Sequence, residues 1–316
     1  MLLALVAIVV MAVTSMTVGV AEVSWRAIVN GQGDDTFILL ASRVPRTLAI
    51  ILTGVSMAIA GLIFQMLTRN KFVEPSTAGT AESAGLGLLV VVFAVPAAPL
   101  LVKMLIASGF AIAGTFLFLQ ILDRLPAHDP LLVPLVGLML GGVIGALATF
   151  FAYQADLMQY LGVWTTGEFS GVLRGRYESL WITGILAVIG YIFADRFSIM
   201  GLGHDASVTL GLNYRAVMWL GLLIVSVITA LVIVTVGMIP FLGLIVPNIV
   251  SRLVGDNLRA AVPWAASLGA GLLLFCDILG RVIRAPYEIP IGTIFGVLGS
   301  AVFLMLLLGR QSHVAR

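Results

Sequence analysis

Ten apolar runs, cut apart by short polar stretches, leave this chain few ways to fold. They lie at 2–20, 46–67, 82–95, 99–122, 131–153, 180–195, 217–237, 239–251, 262–283 and 290–309. A helix needs about 20 apolar residues to cross a bilayer, and most of these runs reach that length. Hydrophobic residues make up 60% of the chain and charged residues 10%, against about 25% charged in soluble domains. Such a composition excludes a soluble globular fold, a disordered chain, a nucleic-acid-binding protein and a disulfide-stapled secreted fold. The expected fold is all-α and polytopic, with about ten transmembrane helices by that length rule. No polar stretch is long enough for a separate soluble domain, so residues 1–316 read as one transmembrane domain. The first run has no basic residue ahead of it, so it reads as a span rather than a cleaved signal.

Two runs, 82–95 and 239–251, are short for a full crossing. Short or interrupted spans need protein around their ends and tend to line a cavity or pathway. Pro240 and Pro247 fall inside or beside the second of these and predict a broken helix there. The polar stretch after 153 predicts an interfacial helix near 157–168. The stretch at about 197–216 has room for two short helices outside the membrane. Gly137, Gly141 and Gly145 share one helix face, and Gly292 and Gly296 repeat the spacing. Small residues so placed let helices approach closely, either within one chain or across a homodimer seam.

The chain lacks the parts of several chemistries. Its two lysines, Lys71 and Lys103, follow no glycine, so there is no phosphate-binding P-loop. Any ATP hydrolysis belongs to another subunit. His128, His204 and His313 are scattered without metal-ligand spacing, and no nucleophile elbow is present. No cofactor and no protein-built metal site is expected. Cys276 stands alone in an apolar run and reads as a buried thiol.

Ten spans put both termini on one side. Nine basic residues fall on that side (Arg69, Lys71, Arg124, Arg196, Arg215, Arg252, Arg259, Arg310, Arg316) and seven on the other (Arg26, Arg43, Arg46, Arg174, Arg176, Arg281, Arg284). The positive-inside rule therefore favours cytoplasmic termini by a small margin, and the basic outer face calls for a reason.

Four stretches concentrate polar residues at membrane edges: Arg43-Val44-Pro45-Arg46; Gln65 through Gly79; Gly237 through Asn248; and Asp277 through Gly292. Each alone has a plain reading as an anchor, a turn, a kink or an ion pair, the last because Asp277 and Arg281 are four residues apart on a helix. Together and in order they resemble the FecCD-type permease family, the membrane subunits of type II ABC importers for iron–siderophore complexes, haem and vitamin B12. The R-[LI]-P-R pattern is met at Arg43–Arg46, and G-x-x-x-A-x-x-G-x-x-x-Q from Gly54 to Gln65. R-N-P-L-A-x-P is met from Arg69 through Asn70 to Pro75. G-x-I-x-F-x-G-L-x-x-P-H is met by Gly237, Pro240, Gly243, Pro247 and Asn248. The D-x-x-x-R and E-[LI]-P-[IV]-G patterns are met by Asp277, Arg281, Glu288, Pro290 and Gly292. The chain departs from the family at Lys71-Phe72, at His204, at Asn248 in place of histidine, and at Ala301 in place of proline.

The resemblance implies a type II importer permease in the bacterial inner membrane, which is not itself an enzyme. Its partners would be a second permease subunit, identical or homologous, two copies of a P-loop ATPase and a periplasmic binding protein. The cargo would be a ferric siderophore, catecholate-type by the look of the Pro240–Asn248 and Pro286–Gly292 variants, with haem or cobalamin as alternatives. Arg43, Arg46 and Arg281 would receive acidic residues of the binding protein. Gly203, Asp205, Ala206, Leu210 and Gly211 would belong to the segment that grips the ATPase, and the stretch His128–Leu131 would lie near the gate. A secondary transporter would instead favour carboxylates buried at mid-membrane. A membrane-embedded enzyme would need convergent catalytic groups.

Overall fold

Mostly apolar sequence with glycines at helix contacts folds here into a bundle of helices. The computed structural model describes residues 1–19, 33–124 and 132–311; the proposed gate stretch His128–Leu131 and Arg26 lie outside them. Among the described residues all regular structure is helical.

Helix α1 covers Leu2–Thr17. Helix α2 (Gly33–Ile38) runs through a π turn at Leu39–Arg43 into α3 (Val44–Thr68). Then come α4 (Thr80–Ala94), α5 (Leu100–Leu122), α6 (Leu132–Gln154) and the short α7 (Met158–Thr166). Helix α8 (Leu180–Ile192) bends by 64° into α9 (Ala194–Met200). The chain ends with α10 (His204–Thr209), α11 (Tyr214–Val236), α12 (Leu242–Val254), α13 (Leu258–Val282) and α14 (Ile291–Gln311). Five of these helices carry full-length apolar spans, the bent α8–α9 pair is a sixth, and α1, α4, α12 and α14 are shorter apolar helices. Each of the ten expected spans has its helix.

Helix α3 is the axis of the bundle, packed against α8, α11, α12 and α13. Lipid tails are as apolar as leucine, so helices in a bilayer are held by close packing and interhelical hydrogen bonds. Both are present. A Cβ on Gly54 would sit 2.6 Å from the Gly269 carbonyl oxygen, and one on Gly61 would collide with the Gly243 backbone. Hydroxyls of Thr80 and Thr115 meet at 2.7 Å, and Ser226 donates to Thr115 at 3.1 Å, tying α4, α5 and α11. The glycine face of α6 packs within the chain: Gly137 lies on Thr77, and Gly141 on Glu82 and Gly79.

The broken helix forms as expected. Helix α11 stops at Val236, residues 237–241 belong to no helix, and α12 resumes at Leu242. Pro240 lies in the break, whereas Pro247 sits inside α12 without interrupting it. Gly237 takes φ +86°, a conformation open to glycine at little cost.

Candidate functional site

At the end of the bundle where α3 begins, one carboxylate gathers three helices. Asp277 Oδ1 accepts from Arg46 Nε at 3.0 Å and Nη2 at 2.8 Å. Its Oδ2 accepts from Ser15 Oγ at 3.0 Å and from Arg281 one helical turn away. Arg46 also reaches Glu288 Oε2 at 2.7 Å. Arg281 donates to the Ser15 and Val18 carbonyls at 2.8 and 2.6 Å, and Arg43 donates to the Val18 carbonyl too. Asp277 is 1% exposed, Arg281 5% and Arg43 9%. The cluster joins α1, α3, α13 and the segment leading to α14.

Among the described residues three arginines face two carboxylates, a surplus of one positive charge. None of the three stands free as an open docking group would. Asp277 draws Arg46 and Arg281 inward, because a carboxylate at membrane depth needs compensating charge. The Asp277–Arg281 pair follows from their spacing; Arg46 and Ser15 come from distant helices and join only in the fold.

The neighbouring loops lie at this same end. Arg174 N donates to Ala41 O at 3.0 Å and Gly292 N to Gly167 O at 2.9 Å. Arg174 and Arg284 are exposed, the latter with its guanidinium over the Tyr287 ring. Gly292 lies against the Thr166 and Met238 carbonyls, where a Cβ would not fit. Pro290 O accepts from Thr293 N at 3.1 Å and so opens α14.

Motif residues near the end of α3 and within α12 converge on one backbone carbonyl. Gln65 Nε2 donates to Lys71 O at 3.1 Å, and Asn248 Nδ2 donates to it at 2.7 Å. Asn70 Oδ1 accepts from Phe72 N at 2.8 Å. Asn248, in the position where the family more often has histidine, thus still reaches across from α12. Lys71 Nζ pairs with Asp256 at 2.7 Å. The Lys71 ammonium and the Ser251 hydroxyl hold the Asp256 carboxyl below its usual range.

From there the chain turns back toward the break. Pro75 starts a 3-10 turn capped by Glu74. Glu74 is fully buried, and its Oε1 accepts from Phe241 N at 2.6 Å. Phe241 sits at φ +66°, strained for a bulky residue. That carboxylate therefore fixes the start of α12. No sequence pattern marked Glu74, since its motif position is a variable one.

At the same end as Lys71, α9 and α10 form a short hairpin. Gly203 and Gly211 take φ +109° and +79°. Ser207 Oγ donates to Ile199 O at 2.9 Å and to Gly203 O at 2.6 Å, closing the turn. Asp205 is exposed, Ala206 half-buried, and Leu202, Val208 and Leu210 are 66%, 52% and 62% exposed. Apolar side chains projecting into water beside a rigid turn are suited to a protein partner.

Comparison with known proteins matches this architecture to its relatives. The model of the FecCD transport family matches residues 2–309. The petrobactin import system permease YclN of Bacillus subtilis is 49% identical over 97% of both chains. The ferric-anguibactin transport system permease FatD of Vibrio anguillarum is 38% identical, covering 93% of this chain and 94% of that one. Among solved structures, an inward-facing metal-chelate type ABC transporter superposes with a TM-score of 0.81, at 21% identity and 97% coverage of both chains; that likeness concerns the fold.

Proposed function

This chain belongs to the FecCD transport family, and from that premise we propose that it carries a ferric siderophore of the catecholate type inward across the bacterial inner membrane. The observation that carries the proposal is the 49% identity, over nearly the whole length, to a petrobactin permease. A permease of this family works with an ATPase and a substrate-binding protein; it is not itself the ATPase. In the reading proposed here, residues 1–316 form one permease domain and pair with a second, identical or homologous, permease above two ATPase copies. Both termini face the cytoplasm, which the distribution of basic residues supports.

The two ends of the bundle take different partners. The end of the bundle that holds Arg43, Arg46 and Arg281 receives the acidic face of the binding protein, the buried cluster lending its charge and the exposed arginines beside it making the contact. Its surplus charge and the exposed Arg174 and Arg284 beside it support this, because such charges steer docking more than they add affinity. The hairpin at Gly203, Asp205, Ala206, Leu210 and Gly211 grips the ATPase. Gln65, Asn70, Pro75, Gly237, Pro240, Gly243, Pro247 and Asn248 hold the re-entrant turn and the broken helix against α3. ATP binding then shifts the population between outward- and inward-open states, and iron travels within its chelate.

Copurification tests the reading. The tagged chain should bring down a P-loop ATPase, and in liposomes the hydrolysis rate should rise on adding binding protein loaded with a ferric siderophore. A chain that purifies alone and moves its cargo on an ion gradient would contradict it.

A further inference from the structure

A second polar site lies away from the arginine cluster. A cavity of about 710 Å³ opens between the end of α4, the start of α5, α7 and the end of α11. A volume of about 300–1,000 Å³ holds a drug-sized ligand. Lys103 and Arg176 line it, and neither has an ion-pair partner among the described residues. Arg176 follows a tight turn at Gly175, whose N–H is held by Glu178 at 2.7 Å. Tyr160 and Trp164 form another wall, with ring centroids 6.1 Å apart. Among the described residues the one carboxylate in the wall, Glu168, accepts from Ser170.

The inner wall includes Gly237, the first residue of the broken segment. Trp164 O accepts from Met238 N at 2.8 Å, and Glu168 N donates to Val236 O at 2.7 Å. A ligand in the cavity therefore touches the same backbone that ends α11.

We infer that this cavity binds an organic anion bearing planar rings, the class that includes a ferric catecholate, as a holding site for the cargo; the identification with cargo rests on the function proposed above. Two cations supply the charge preference, and exposed aromatic faces stack planar rings and exclude water. Past Trp164 lies a smaller cavity of about 150 Å³ lined by Glu82, whose Oε2 is buried without a hydrogen-bond partner.

The test uses the permease–ATPase complex in phosphatidylcholine nanodiscs, with the iron(III)–catechol complex as probe and iron(III)–citrate as a ring-free anion. Tryptophan emission should quench saturably with the catechol complex, and Trp164→Phe should remove at least half of that quench. Lys103→Gln with Arg176→Gln should raise the apparent Kd at least tenfold while basal ATP hydrolysis stays unchanged. Citrate should bind at least tenfold more weakly than the catechol complex. If the double variant fails to assemble, Tyr160→Leu serves instead and should abolish the preference for the ring-bearing complex. Unaltered affinity in these variants, equal binding of both iron complexes, or full displacement of the probe by phosphatidylglycerol would overturn the inference; the last would mark a lipid headgroup site. Uptake through the assembled importer with no binding in this cavity would sink the inference alone. Absence of any ferric-chelate uptake would sink the functional reading, and cavity binding would still be scored separately.

Discussion

Arg46 grips one oxygen of Asp277 through both Nε and Nη2, at 3.0 and 2.8 Å, across 231 positions of sequence. Asp277 is nearly sealed from solvent. The bond ties the start of α3 to the last turns of α13, and Ser15 adds α1 through the other oxygen. Removing one partner of a buried ion pair leaves an uncompensated charge, which costs about 3–5 kcal/mol.

Asp277→Asn should therefore destabilise the permease by about that amount, although the side chain barely changes in size. Adding Arg46→Met to it should recover part of the loss. Thermal unfolding of the purified variants measures both. Equal stability of wild type and Asp277→Asn would show that the cluster is not a structural tie.

The contact between α3 and α12 depends on the absence of side chains. Gly61→Val would drive a branched side chain into the Gly243 backbone. Overpacking of this kind costs roughly 1–3 kcal/mol where neighbours can yield, and backbone yields less than side chains do. The variant should lose its monodisperse peak in detergent size-exclusion chromatography. Gly85→Ala, where an added Cβ meets open space, should keep it.

Much of this fold was legible because the bilayer allows so few solutions. All ten apolar runs became helices, Pro240 marked a real break, and the polar stretch near 197–216 held one short helix, α10, together with the end of α9, which begins at Ala194. The Asp277–Arg281 pair followed from helical spacing. The partnership of Arg46 with Asp277 was not legible, because no local period links residues on different spans. Arg46, expected to meet acidic residues of a partner protein, also meets a carboxylate from another helix of its own chain. Glu74 was missed for a related reason: its role as a clamp on Phe241 N exists only once the chain after α3 has turned back toward α12.

The Lys71–Asp256 pair makes a pH prediction. Its carboxyl is held below the usual value of 3.8. A carboxyl lowered by folding stabilises the folded state above its unfolded pKa, and that contribution disappears as pH falls through the folded value. The stability difference between wild type and Asp256→Asn should be constant from pH 5 to 8 and close at lower pH. It should stay below about 1 kcal/mol and shrink with salt, since the pair is solvent-exposed. A difference that changes between pH 6 and 8 would contradict this assignment.

At the α9–α10 hairpin, Leu210→Glu should weaken retention of the ATPase on the tagged permease at least tenfold without altering membrane insertion. Gly211→Val should disturb the same coupling through the backbone. A side chain at φ +79° costs roughly 1–2 kcal/mol. The ratio of ATP hydrolysed to cargo moved should rise in both variants. An unchanged ratio in both would remove the hairpin from the coupling pathway.

The most direct measurement is radio-iron uptake in a strain deleted for this gene, with and without the gene restored, from a ferric catecholate, a ferric hydroxamate, iron citrate and haem. The account predicts that restoration rescues uptake from the catecholate and leaves the others unchanged. Rescue confined to another cargo, or no dependence of any cargo on the gene, would contradict it.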